Sequence, residues 1–162
     1  MIVRRGGDAD VDTVLGLLDE AVHRLAAQGR TGQWGTEPFS GNPKRVEQIR
    51  ARTSDLWLAE LDGEVVGALA LGEASGQVPP SEVPEIYVSW LVGSRTAPGA
   101  GRRLLDHARS EAEARGVDRI RVDCYAGDDG GLVAFYVSAG FTPTGAFTVG
   151  DWPGQILEIA LR

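Results

Sequence analysis

A chain of 162 residues with 43% hydrophobic content is the size and composition of one folded domain, which argues against a disordered protein. Its 23 acidic and 16 basic residues give a net charge of −7, which disfavours non-specific nucleic-acid binding and leaves a cationic small molecule as a compatible partner. No apolar run approaches the ~20 residues of a membrane helix, and the opening MIVRRGGDAD lacks a signal peptide's apolar segment. With Cys124 the single cysteine, neither an internal disulfide nor a cysteine-based zinc site can form, and the expected compartment is the cytoplasm.

In chain order, Met1–Arg5 reads as a short strand. Val11, Val14, Leu15, Leu18, Val22 and Leu25 recur at helical spacing, with Gly29 after the last turn. Residues 30–41 hold Trp34, Pro38 and Phe39 without a period and read as a loop. Asn42-Pro43 starts a second helix, an N-cap residue followed by a proline whose missing N–H costs nothing there, and this helix is expected to run to about Thr53. Leu56–Leu61 and Val65–Leu71 are strands joined by Asp62-Gly63, a hairpin signal. A polar loop with Pro79-Pro80 leads to a strand at Ile86–Val92. A helix follows at Ala100–Arg115, with Leu104, Leu105, Ala108 and Ala112 inward and Gly116 as its stop. Arg119–Cys124 is a strand, Leu132–Ala139 a helix ended by Gly140. Thr144–Val149 and Gln155–Leu161 are strands joined by the turn GDWPG. The order βααβββαβαββ predicts a single α/β (α+β) three-layer domain over residues 1–162, with a mixed central sheet flanked by helices.

The chemistry concentrates at SRTAPGAGRRLLDHA, residues 94–108, a glycine-rich turn between strand and helix. A Walker loop fails, because Gly93 is wrongly spaced and no lysine follows Gly99. A dinucleotide fingerprint fails, because Leu104 stands where its third glycine belongs. What survives is a Gly-x-Gly turn whose backbone N–H groups gather at a helix N-terminus, where the helix dipole favours a phosphate, with Arg95, Arg102 and Arg103 around it. Taken alone, the same stretch also fits an ordinary strand-to-helix loop with solvated arginines.

The second motif is LVAFYVSAGF, residues 132–141, a helix carrying Tyr136 that ends at Gly140-Phe141 one strand later. With both in place the sequence resembles the GNAT superfamily of N-acetyltransferases. The family's pyrophosphate loop, Arg/Gln-x-x-Gly-x-Gly/Ala, resembles Thr96-Ala97-Pro98-Gly99-Ala100-Gly101, and its Tyr-x-x-x-Gly-Phe ending resembles Tyr136–Phe141. Two positions depart from the pattern: Thr96 replaces the loop's Arg or Gln, with Arg95 one place earlier, and Asp129 stands where an Asn is common.

The resemblance implies acetyl transfer from acetyl-CoA to a small-molecule or peptide amine by direct attack, with no metal. It implies CoA contacts from Leu91, Val92 and Gly93 at the strand end and from Arg95, Thr96, Gly99, Ala100, Gly101 and Arg102 in the loop, with Tyr136 as the acid for the leaving thiolate. Such a site also needs a base for the ammonium. Glu85, at the start of the strand, is the first carboxylate to consider, and Asp123 beside Cys124 is the second; Glu85 as a solvated strand-end residue is the alternative. The acceptor is expected between the first two helices, with Trp34 and Phe39 as apolar walls, Glu37 facing a cationic amine and Tyr87 nearby; a surface loop pinned by two aromatics is the alternative. A homodimer is compatible with the family.

His23 and His107 lack ligand spacing, and His107 is expected in solvent on its helix. Cys124 is expected to be a small buried hydrophobe. A non-catalytic acyl-CoA sensor is the competing function.

Overall fold

The computed structural model describes residues 1–162, and its elements follow the order read from the sequence. They are β1 (Ile2–Arg5), α1 (Val11–Ala27), α2 (Pro43–Arg50), β2 (Leu56–Leu61), β3 (Glu64–Gly72), β4 (Glu85–Gly93), α3 (Ala100–Arg115), β5 (Arg119–Tyr125), α4 (Gly131–Ser138), β6 (Thr142–Val149) and β7 (Trp152–Ala160). The seven strands form one sheet in the order β1-β2-β3-β4-β5-β7-β6, antiparallel throughout except for β4 beside β5. That parallel pair is the one joined by a helical crossover, α3, as parallel neighbours require.

The helices bury their apolar stripes on the two faces. Val14, Leu18 and Val22 of α1 pack with Leu56, Leu58 and Ala68 on one face. Leu104, Ala108 and Ala112 of α3 pack with Leu69, Ile120 and Val122 on the other. The predicted inward positions of both helices are buried, except that Leu25, in the last turn of α1, is half-exposed. Asn42 caps α2 as expected, its Oδ1 accepting the N–H groups of Lys44 and Arg45.

Two local expectations change. Helix α2 stops at Arg50, and residues 53–55 form a separate 3-10 turn, so Asp55 can accept Arg115 and the Trp57 indole. The last hairpin turns at Gly150-Asp151 alone, with Trp152, Pro153 and Gly154 already in β7. The ladder between β5 and β7 ends at Tyr125 opposite Gly154, and one residue past it the Ala126 N–H donates to the Pro153 carbonyl at 2.9 Å, a bond the proline cannot return.

The ladder between β4 and β5 is short. It covers Glu85–Val88 against Arg119–Val122 and stops. Beyond it β4 stays with β3 and β5 stays with β7, so the sheet splits. A bulge at Ser89, between the pairs Ala70–Trp90 and Leu71–Val88, bends β4 at the point where the split opens. It also resets the alternation. Ile86 and Val88 face α3, but after the extra residue it is Leu91 that leans to that side and Val92 that joins the α1 core.

The loop of residues 30–41 roofs the split. Trp152 Nε1 donates to the Gln33 carbonyl at 3.1 Å, Arg45 donates to the Trp34 carbonyl, and Arg30 pairs with Asp129 at 2.9 Å.

Candidate active site

The split holds a cleft of about 380 Å³ bounded by the end of β4, the residue 94–99 turn, the start of α3, one flank of α1 and α4. Ser94 N–H donates to the Val66 carbonyl at 2.7 Å, toward β3. With a two-residue period, the N–H groups of Leu91 and Gly93 point the other way, toward the strand that has departed. At the head of α3, the N–H groups of Gly99, Gly101 and Arg102 find no acceptor in the fold, while Ala97, Ala100 and Arg103 are bonded within the turn. Gly99 makes this possible with φ +91, a conformation that excludes most side chains.

The cationic rim differs from the expected one. Arg95 lines the cleft, consistent with its standing one place before the family position. Thr96 is exposed and does not line it, its N–H and hydroxyl both engaged with Ser94. The Arg102 side chain turns away to the Ser138 carbonyl and to Asp106, so only its backbone N–H faces the site. Sequence reasoning missed Arg24. This residue projects from α1 into the cleft with its Nη1 buried and unpartnered. Burial, then the Arg95 charge, lowers the Arg24 pKa, so an anion is what the pair lacks. The sequence carried one faint signal, an arginine one turn after the buried Ala21 and Val22. Three orphan amides, the buried and unpartnered Nη1 of Arg24 and the Arg95 side chain fit a pyrophosphate.

Tyr136 lines this cleft and also a second cavity of about 180 Å³ that continues along the split between Leu91, Ser89 and Trp90 on one wall and Asp123, Cys124 and Trp152 on the other. Its ring is wedged edge-on against Phe135 and Phe141, and the residue is 5% exposed. Burial raises the phenol pKa, so the hydroxyl keeps its proton at neutral pH. Cys124 is buried beside it with its thiol pushed up to about 12, which keeps it protonated and unreactive.

The two carboxylates differ sharply. Glu85 sits at the far end of β4, roughly 26 Å of strand from Gly93, and lines neither cavity. Burial works to raise its carboxyl, but hydrogen bonds from Arg121 and Arg119 outweigh that and hold it below the usual range. Engagement by two arginines and a position away from the split do not favour Glu85 as the base. Its work is to neutralise Arg121, only 6% exposed. Glu85→Gln should therefore cost about 3 kcal/mol of stability and lower Tm by roughly 6–12 °C while leaving kcat/KM unchanged, measured by paired melting and turnover assays. Asp123 instead lines the split, with the Tyr87 hydroxyl donating to it, and burial raises its carboxyl.

The remaining expected acceptor residues scatter. Trp34 lines the cleft and the second cavity. Phe39 is buried in the α1 core, edge-on to Trp34 and under Arg45. Glu37 is exposed and lines no cavity near the split. Tyr87 is buried among Val78 and Ile156 and reaches the site through Asp123. His107 is not in solvent: its ring packs on Trp57 at 4.2 Å, and burial lowers its pKa despite Glu111 at 3.6 Å.

A mixed sheet split beside its one parallel pair, with free backbone amides of a helix start at the mouth, defines an α/β fold with a cleft inside the sheet. Residues 20–141 match the acetyltransferase (GNAT) family, and the chain belongs to that family. Mycothiol acetyltransferase of Beutenbergia cavernae is 34% identical over 116 residues, a match that covers 65% of this chain and 38% of that protein's length. Among solved structures, ribosomal-protein-alanine N-acetyltransferase from Brucella melitensis has a TM-score of 0.70 at 22% identity, covering 99% of this chain and 100% of that one. An acetyltransferase from Salmonella typhimurium with its cofactor acetyl-CoA has a TM-score of 0.69 at 18% identity, covering 100% and 94%. At those identities the structures establish the shared fold. No helix is long and apolar enough to cross a membrane.

Proposed function

We propose that the protein transfers the acetyl group of acetyl-CoA to an amine by direct attack within the split. One observation carries the reading. Past Val88 and Val122 the sheet opens into two cavities that share Leu91 and Tyr136 as walls, one reaching Gly93 and the other Asp123. Acetyl-CoA supplies an activated acyl group and a thiolate leaving group.

The chain's own groups divide the remaining work. The head of α3, with Arg24 and Arg95, holds the pyrophosphate. The Leu91 and Gly93 N–H groups meet the thioester oxygen and stabilise the negative charge that grows there. Asp123 takes one proton from the acceptor ammonium. The neutral nitrogen forms the C–N bond and loses its second proton to solvent as the C–S bond breaks. Tyr136 gives its proton to the departing sulfur and recovers one from Asp123, so the protein ends as it began.

Incubation with acetyl-CoA and a mixed amine library, followed by product mass spectrometry, tests the reading. An acetylated amine together with free CoA is expected. Tight CoA binding with no product in any amine would make the protein an acyl-CoA sensor instead.

Tyr136→Phe keeps the ring and its edge-on packing and removes the hydroxyl. Its single-turnover rate should fall at least about tenfold, with CoA affinity little changed and stability lower by no more than roughly 1.5 kcal/mol. A rate equal to wild type would leave Tyr136 as a packing residue.

A further inference from the structure

Asp123 borders a third cavity of about 420 Å³, on the side of the sheet where α2 ends and the β3–β4 loop begins. Ser89, Trp90 and Asp123 wall both this cavity and the one that holds Tyr136, so an acceptor entering here reaches the reacting end of the split. Its polar lining is unusual. Ser89 Oγ and Trp90 Nε1 are buried, and neither has a hydrogen-bond partner in the fold. Buried donors without acceptors are costly, and native folds tolerate few of them.

Arg52 lies at the same spot. A Cβ built on Gly72 would come within 2.7 Å of Ser89 Oγ, which would have to move, and into van der Waals contact with Arg52 Nη1 at 3.6 Å, so both groups lie beside that glycine. Arg52 is half-buried and lines the cavity, yet no carboxylate pairs with its guanidinium. The cavity lining thus combines two carboxylates, Asp123 and Glu73, with the donors of Arg52, Ser89 and Trp90.

We propose that this cavity is the acceptor site and that its substrates are amino acids in the broad sense, small molecules carrying both the reacting amine and a carboxylate. The ammonium faces Asp123. The carboxylate meets the fork of Arg52, whose geometry suits two carboxylate oxygens, and supplies the acceptor that Trp90 Nε1 and Ser89 Oγ lack. The inference rests on the acetyl-transfer reading and adds the substrate class.

The test pairs each common L-amino acid with its carboxamide and with the amine lacking the carboxylate. Wild-type kcat/KM should favour the amino acid in the best pair by about ten- to hundredfold. Arg52→Gln should erase that preference through KM, and Arg52→Lys should restore part of it, with melting curves confirming that both variants are folded. Equal kcat/KM within every pair, or a preference that survives Arg52→Gln, overturns the proposal while acetyl transfer stands. Should no amine be acetylated, calorimetric titration of the same pairs into CoA-saturated protein still decides: amino-acid binding that Arg52→Gln abolishes supports the site, and its absence removes it.

Discussion

Asp123→Asn should reduce the single-turnover rate of acetyl transfer by about a hundredfold or more, the range of a lost general base, and leave CoA affinity untouched. Asparagine is nearly isosteric, and its side-chain carbonyl can still accept the Tyr87 hydroxyl that Asp123 accepts. What it loses is the negative charge that draws in an ammonium and the site that receives its proton. The pH profile carries a second signature. Burial raises the Asp123 carboxyl from its ordinary value of 3.8, so the wild-type rate falls on the acid side as pH drops through that raised value. The asparagine variant should lack that acid limb. Stability should move the other way. A carboxyl whose folded pKa is raised is most favourable to folding when protonated, and its contribution is lost as pH climbs from 3.8 through the folded value. At neutral pH the variant should therefore melt no lower than wild type. A single-turnover rate that survives Asp123→Asn would overturn Asp123 as the base.

The contrast between Asp123 and Glu85 shows where sequence reasoning stopped. Element order was legible because it rests on local signals: the 3.6-residue stripe of α1, the Asn42-Pro43 start, the Asp62-Gly63 hairpin and the Gly116 stop all act within a few residues. The glycine corner was legible for the same reason. The carboxylates were not, because a base is defined by what lies across the sheet from it. Glu85 opens β4, whereas Asp123 lies toward the end of β5. Register puts Glu85 opposite Arg119, with Arg121 two residues on, whereas Asp123 falls just past the last rung between β4 and β5. The bulge at Ser89, which opens that gap, leaves no mark in IYVSWLV. Arg24 stayed hidden likewise, since a helix-flank arginine reads as solvated until the glycine corner is folded opposite it. Phe39 and Glu37 misled in the reverse sense: an irregular loop with aromatics suggested a binding wall, but the hydrophobic demand of Phe39 is met by the α1 core.

Gly99→Asp should weaken CoA binding by a hundredfold or more without unfolding the protein. The Gly99 φ of +91 strains any side chain, a cost of order 1 kcal/mol, though aspartate tolerates the left-handed region better than most residues. Yet a Cβ built there meets no atom within 4 Å, because it points into the open cleft. An aspartate thus enters ligand space rather than the core. Its carboxylate would sit beside the unpaired N–H groups of Gly101 and Arg102 and near Arg24 and Arg95, and would take the donors that the pyrophosphate needs. Charge repulsion and lost hydrogen bonds then act together on the ligand, while the fold gains an anion near the Arg24 Nη1, which is buried without a partner. Gly99→Ala separates the causes. It carries the same backbone strain without the charge, so its melting temperature should fall at least as far as that of Gly99→Asp while its CoA affinity falls much less. Calorimetric titration of CoA into both variants, with melting curves for each, reads the difference directly. A folded Gly99→Asp protein that binds CoA as tightly as wild type would mean that the corner at the head of α3 is an ordinary loop and that the phosphates lie elsewhere.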